Sequence, residues 1–126
     1  MNKERAKIWT SILRSDMYSK AIGRLGSANT NQRCCLGVAC DIAVMHGVIP
    51  PPIINSDTKE IKYIGEAVYL PSAVRMWLEI GNFAGDIVVE IANTTFTISL
   101  PELNDSGDAL TFSQIADVID FFVDDL

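Results

Sequence analysis

Residues 34–45 read Cys-Cys-Leu-Gly-Val-Ala-Cys-Asp-Ile-Ala-Val-Met, with apolar groups on almost every side of a helical wheel. A surface helix confines its apolar residues to one stripe, whereas a helix apolar nearly all round has to be enclosed by the rest of its domain. The spacing therefore predicts a buried central helix over 33–46, which the other elements must wrap. Gly47 supplies a terminator that accepts positive φ, and Pro50-Pro51-Pro52 forbids regular structure after it.

The flanking segments alternate between helical and strand periods. Over 3–15, Ile8, Trp9, Ile12 and Leu13 share a stripe, while Lys3, Arg5, Lys7 and Arg14 lie off it, which predicts an amphipathic helix. In 16–32, Met17, Tyr18, Ala21, Ile22 and Leu25 keep helical spacing, but Gly23 and Gly26 loosen it and 27–31 reads as a loop. Residues 53–69 fit one or two strands around an Asn55-Ser56-Asp57 turn. Pro71 opens a short helix with Val74, Trp77 and Leu78 on one face, closed by Gly81. Residues 86–100 predict a β-hairpin turning at Ala92-Asn93-Thr94, with Phe96, Ile98 and Leu100 alternating against Thr95, Thr97 and Ser99. Residues 101–107 read as a connector with turn residues at its end. Thr111 and Gln114 match a capping box for a last helix, with Phe112, Ile115, Ile119, Phe122 and Val123 inward and Asp117, Asp120, Asp124 and Asp125 outward. The fold class expected is α+β: about four helices packed on a small antiparallel sheet, as a single domain over 1–126.

Several function classes are excluded or made remote. The longest apolar runs are far shorter than the roughly 20 residues that span a bilayer. The opening Met1-Asn2-Lys3-Glu4-Arg5-Ala6-Lys7 leads into no apolar export signal. The three cysteines, Cys34, Cys35 and Cys40, are odd in number and too close in sequence for a disulfide framework, so reduced thiols and a cytoplasmic location are expected. The net charge of −6 conceals a division: residues 1–75 hold all ten bases and six acids, for +4, and residues 76–126 hold ten acids and no base, for −10. The acidic half repels DNA and anionic membranes, and the basic half attracts anions.

Catalytic and metal signatures fail on spacing. A thiolate nucleophile needs a base within hydrogen-bond reach, and the one histidine, His46, lies ~18 Å from Cys34 along a helix rising ~1.5 Å per residue. Cys40 is six positions before His46, off the i+3 and i+4 neighbours. Neither paired Cys-x-x-Cys nor i, i+4 ligands are present for zinc, and the Asn104 to Asp108 stretch lacks the alternating oxygens of a calcium loop. No catalytic residue, metal or cofactor is expected. The binding candidates are Arg24, Arg33 and Arg75 with Trp77 and Tyr69, a set that could hold a phosphate and a planar ring, and Asp117, Asp120, Asp124 and Asp125, a surface for a basic partner. For Trp77, core packing is the simpler role.

The run Arg33-Cys34-Cys35-Leu36-Gly37-Val38-Ala39-Cys40-Asp41 resembles a group of small proteins of bacteriophages and prophage-bearing bacteria. Leu70-Pro71-Ser72-Ala73-Val74-Arg75-Met76-Trp77 and Leu103-Asn104-Asp105-Ser106-Gly107, followed by Phe112-Ser113-Gln114-Ile115, are similar to the same group, in the same order. The resemblance implies a phage accessory protein made in a bacterial cytoplasm and carries over no site residues. Three functions follow as expectations. The first is a non-enzymatic protein that binds a host protein through its acidic C-terminal surface and modulates host metabolism or defence. The second is a sponge for a small anionic ligand such as a nucleotide immune signal, with a homo-oligomer allowed. The third is a cysteine-dependent enzyme.

Overall fold

In the computed structural model, which describes residues 1–106 and 110–126, the apolar segment forms a helix, α2 (Cys35–Met45), at the centre of the domain. Leu36, Val38, Ala39 and Ile42 are at most 1 % exposed, each such large side chain contributing ~1.5–3 kcal/mol by leaving water. The helix begins at Cys34, whose Sγ accepts from the Gly37 N–H at 3.4 Å, and its first N–H, of Cys35, donates to Asn104 Oδ1 at 3.2 Å. Cys35 Sγ faces the Leu100 carbonyl at 3.7 Å, and the Cys35 carbonyl accepts from Trp9 Nε1 at 2.9 Å. Gly37 has a packing reason: a Cβ there would lie 1.9 Å from the Leu25 carbonyl oxygen, which itself accepts from Cys34 N–H. The Cys-Cys-Leu-Gly run is thus the seam along which the central helix meets its neighbours.

Helix α1 (Lys3–Arg14) starts at Asn2, whose side chain accepts from Arg5 N–H, and buries Ala6, Trp9, Thr10 and Leu13. It packs antiparallel to the last helix, α5 (Phe112–Phe121), where both bonds of the Thr111–Gln114 capping box form. Three short sheets complete the fold. In the first, β1 (Ser19–Lys20) pairs parallel and β2 (Gly26–Ser27) antiparallel with β3 (Gln32–Arg33). β4 (Ile53–Ile54) pairs with β5 (Ile61–Lys62), around a turn in which Asn55 Oδ1 accepts from Asp57 and Thr58 N–H. After α3 (Ser72–Leu78), β6 (Asp86–Ile91) and β7 (Thr94–Ser99) form the predicted hairpin.

The α+β class holds, with five helices and the strands divided among small sheets rather than gathered in one. Residues 16–32 depart from the helical periodicity: Asp16 at φ 58° and Gly23 at φ 74° turn the chain, and Ala21 N–H bonds the distant Arg33 carbonyl at 2.7 Å. The hairpin turn is Ala92-Asn93, both with positive φ, and Thr94 already belongs to β7. α3 is closed one residue pair early by Glu79 in the left-handed region, its carboxylate accepting from Asn2 Nδ2 at 2.8 Å. The 101–107 stretch is not a plain connector, since α4 (Leu100–Asp105) occupies most of it, opened by a Ser99–Glu102 capping box with a proline in its first turn. Gly107 at the end of that stretch, and Asp108 of the calcium-loop reading, lie outside the described residues.

Candidate functional site

Arg33 and Asp41 face each other because β3 ends where α2 begins, with Asp41 on the second turn of that helix. Arg33 Nε donates to Asp41 Oδ2 at 2.8 Å and lies 3.1 Å from the Tyr63 hydroxyl, which donates to the other oxygen of Asp41. Arg33 Nη1 donates to the carbonyls of Gln32 at 2.8 Å and Ser27 at 3.3 Å, and its guanidinium stands 5.3 Å from the Tyr18 ring centre. Burial, reinforced by the Asp41 carboxylate, raises the Tyr63 phenol far above its ordinary value and Tyr18 to about 12. The guanidinium proposed from sequence as an anion holder is already neutralised here. The signal for this cluster was present in Asp41, a lone charge inside an otherwise apolar helix, which demands a buried cation.

The other sequence candidates sit in separate surroundings. Arg24 is half-buried and has no side-chain bond among the described residues. Trp77 packs against the His46 ring at 5.3 Å and under the Arg5 guanidinium at 5.0 Å. Arg75 lies 4.9 Å above the Phe83 ring, its Nε buried without a hydrogen-bond partner among the described residues. Of the acids, Asp117 and Asp120 both accept from Arg14 Nη2 at 2.8 Å and tie α5 to α1, and Asp124, just past α5, pairs with Lys3 at 3.2 Å. Asp125 is exposed and enters no ion pair among the described residues.

The cysteines are buried and unbonded to one another. Burial pushes the Cys34 thiol up to about 11 and Cys35 and Cys40 well above the usual range. His46 caps the opposite end of α2 and is exposed. Burial disfavours the thiolate that a cysteine nucleophile needs, and His46 stands at the far end of the helix from Cys34 and Cys35.

One open concavity lies where the root of the hairpin meets α4; a separate recess of about 330 Å³ is lined by Ile64, Glu66, Pro71, Ser72 and Ala73. Tyr69, Ala84, Asp86, Ser99, Pro101, Glu102 and Asp105 line a cleft of about 350 Å³. A second recess of about 320 Å³ shares Tyr69, Ala84 and Asp86 with it and adds Asn82 and Phe83. Asp86 comes from β6, and Glu102 and Asp105 from α4 (Leu100–Asp105); Tyr69 and Phe83, each about half exposed, come from the segments flanking α3. Leu70 N–H bonds the Phe83 carbonyl at 3.3 Å and ties those two segments together. Neither recess has Lys or Arg in its lining. Among the described residues no three His, Cys, Asp or Glu side chains cluster closely enough to hold a metal ion. Spread carboxylates beside aromatic faces suit a larger organic cation, such as a guanidinium or an ammonium. Sequence reading had named Tyr69 and Phe83 as aromatic candidates but did not bring Asp86 and Glu102 to them, because their shared cleft depends on α4, which it read as a connector.

The family model described as "Domain of unknown function (DUF8296)" matches residues 1–122, every element from α1 through α5. The chain belongs to this family. No curated protein and no solved structure matches it. The matched span includes both the Arg33–Asp41–Tyr63 cluster and the acidic cleft. No helix among the described residues is long and apolar enough to cross a membrane.

Proposed function

We propose that this chain is a non-enzymatic binding protein that takes a basic segment of a partner protein onto its acidic C-terminal half. The observation that carries the reading is the cleft itself, which Asp86, Glu102 and Asp105 line together with Tyr69 and without a basic side chain. Carboxylates left without cations accept Lys or Arg from outside, and the half-exposed Tyr69 ring adds cation–π attraction of ~0.5–1 kcal/mol at exposed sites. The cleft's carboxylates lie in residues 76–126, which hold ten acids and no base, and that charge favours a basic segment. With Asp117, Asp120 and Asp124 occupied by Arg14 and Lys3, the recognition role falls to the cleft, with Asp125 as an outlying acid. The resemblance of the Cys-Cys-Leu-Gly-Val run to phage proteins sets the context: a partner in a bacterial host cytoplasm, whose metabolism or defence the chain modulates.

A panel of labelled peptides tests the class of ligand. Arg/Lys-rich peptides should bind with affinity that falls as salt rises, while acidic peptides and nucleotides should not. Tight nucleotide binding with no response to basic peptides would overturn this reading in favour of anion sequestration.

A further inference from the structure

We propose that the acidic cleft and the recess beside it form one two-part site, which takes a basic side chain in the cleft and a large uncharged apolar side chain of the same partner segment in the recess. The inference rests on the reading of the cleft as a basic-segment site, and adds what the segment carries next to its cation. The two concavities, of about 350 and 320 Å³, adjoin, because they share Tyr69, Ala84 and Asp86. Their remaining linings differ in kind. The cleft adds Ser99, Pro101, Glu102 and Asp105, whereas the recess adds only Asn82 and Phe83. Tyr69 and Phe83 are each about half exposed, so they hold aromatic surface in water that a bound apolar group would displace. A guanidinium, that of Arg75, already stands 4.9 Å from the Phe83 ring centre, so a second cation at that ring would meet like charge. The recess therefore suits an uncharged apolar group, and the cleft, with three carboxylates and no base, suits the cation.

The wall between the two parts is held by the chain's own bonds. Asn82 Oδ1 accepts from the N–H of Ala84 at 3.1 Å and from that of Asp86 at 3.0 Å, which fixes the 82–86 loop. The Phe83 carbonyl accepts from Leu70 N–H at 3.3 Å, next to Tyr69, and the Ala84 carbonyl accepts from Leu100 N–H at 3.2 Å, where α4 begins. Gly85, at φ 63°, lets Leu100 approach so closely that a Cβ would lie 2.7 Å from Leu100 Cδ1. A site formed in advance binds without the cost of ordering its own loop. In an extended segment, neighbouring side chains point to opposite sides, and those two positions apart point to the same side, ~7 Å from each other. Two adjoining concavities thus select a basic and an apolar residue two positions apart, rather than side by side.

Fluorescence anisotropy of the full chain with three labelled peptides of equal charge, each built around a central Arg, tests it. The first peptide has Leu two positions to either side of that Arg, the second has Ser in both places, and the third moves both Leu to its far ends. The first should bind ~tenfold more tightly than the other two, on the order of what burying part of a Leu side chain gives. Added salt should weaken every peptide and leave that ratio unreduced. Phe83→Ala, checked for fold by circular dichroism, should bring the ratio near one, and Phe83→Leu, which keeps an apolar wall, should retain most of it. Equal affinities of the three peptides for the wild type would overturn the two-part site and leave the basic-segment reading standing. No binding of any of them, nor of Arg/Lys-rich peptides, would overturn both. An advantage that persists in folded Phe83→Ala, or that the distant Leu residues confer equally, would overturn the proposal by placing the apolar contact elsewhere.

Discussion

Arg33 Nε lies 2.8 Å from Asp41 Oδ2 with both side chains almost withdrawn from solvent, at 11 % and 13 % exposure. Removing one member of such a pair leaves the other charged and unsatisfied. Asp41→Ala should therefore cost ~3–5 kcal/mol, measured by urea unfolding. The double replacement Arg33→Met with Asp41→Leu should recover much of that loss, because it removes both charges at similar volume. A single substitution costing less than ~1 kcal/mol would mean that water reaches the pair.

The same cluster sets the alkaline limit of the fold. Burial, then the Asp41 carboxylate, raises Tyr63 and Tyr18 above the unfolded phenol value of ~10. Groups raised in the folded state contribute stability that is complete below pH ~10 and is lost as pH climbs toward about 12, where Tyr18 titrates. Stability measured between pH 9 and 12 should fall, and Tyr63→Phe should flatten that fall although it weakens the protein at pH 7. An identical pH slope in wild type and variant would contradict the account.

The thiols should be silent in the native state. Cys34, Cys35 and Cys40 are buried, with ionisation held off by desolvation. A thiol reagent at pH 8 should titrate none of them quickly in native protein and all three after denaturation. One cysteine reacting at the rate of a free thiol would reopen nucleophilic chemistry.

Gly37→Ala probes the seam of the central helix. The added Cβ would meet the Leu25 carbonyl oxygen at 1.9 Å, so backbone has to move, at a cost of ~1–3 kcal/mol or more. Gly81→Ala meets nothing within 4 Å and should stay within ~0.5 kcal/mol. Equal Tm values for the two variants would remove the packing explanation of the Cys-Cys-Leu-Gly run.

Elements set by local periodicity were legible in the sequence. The central helix, α1, the hairpin and the capped start of α5 all follow from spacing and capping residues such as Thr111 and Gln114. What escaped was decided at a distance. Tyr18, Ala21 and Leu25 keep helical spacing, yet Ala21 N–H pairs with the Arg33 carbonyl and Leu25 N–H with the Ala67 carbonyl, so strand-like pairing wins. Asn104 reads as a turn residue, but it is wholly buried, holding Cys35 N–H and the Ala21 carbonyl together. The candidate site escaped for the same reason: Asp86 and Glu102 line one cleft only because α4 packs beside the hairpin. Arg33 carries a charge suited to anions, and only its buried partner at Asp41 shows that the charge is already engaged.

The central claim is that the acidic cleft holds basic side chains, and isothermal titration of one Arg/Lys-rich peptide against three forms of the chain tests it most directly. Asp86→Asn with Glu102→Gln removes two cleft charges, and Gln at 102 keeps the capping box with Ser99. Asp57→Asn with Glu66→Gln removes the same charge from exposed positions outside the cleft. The account predicts that the cleft variant loses affinity by about tenfold, a change of ~1.4 kcal/mol, while the control stays near wild type. Equal losses in the two variants would reduce the attraction to net charge alone and contradict a built site.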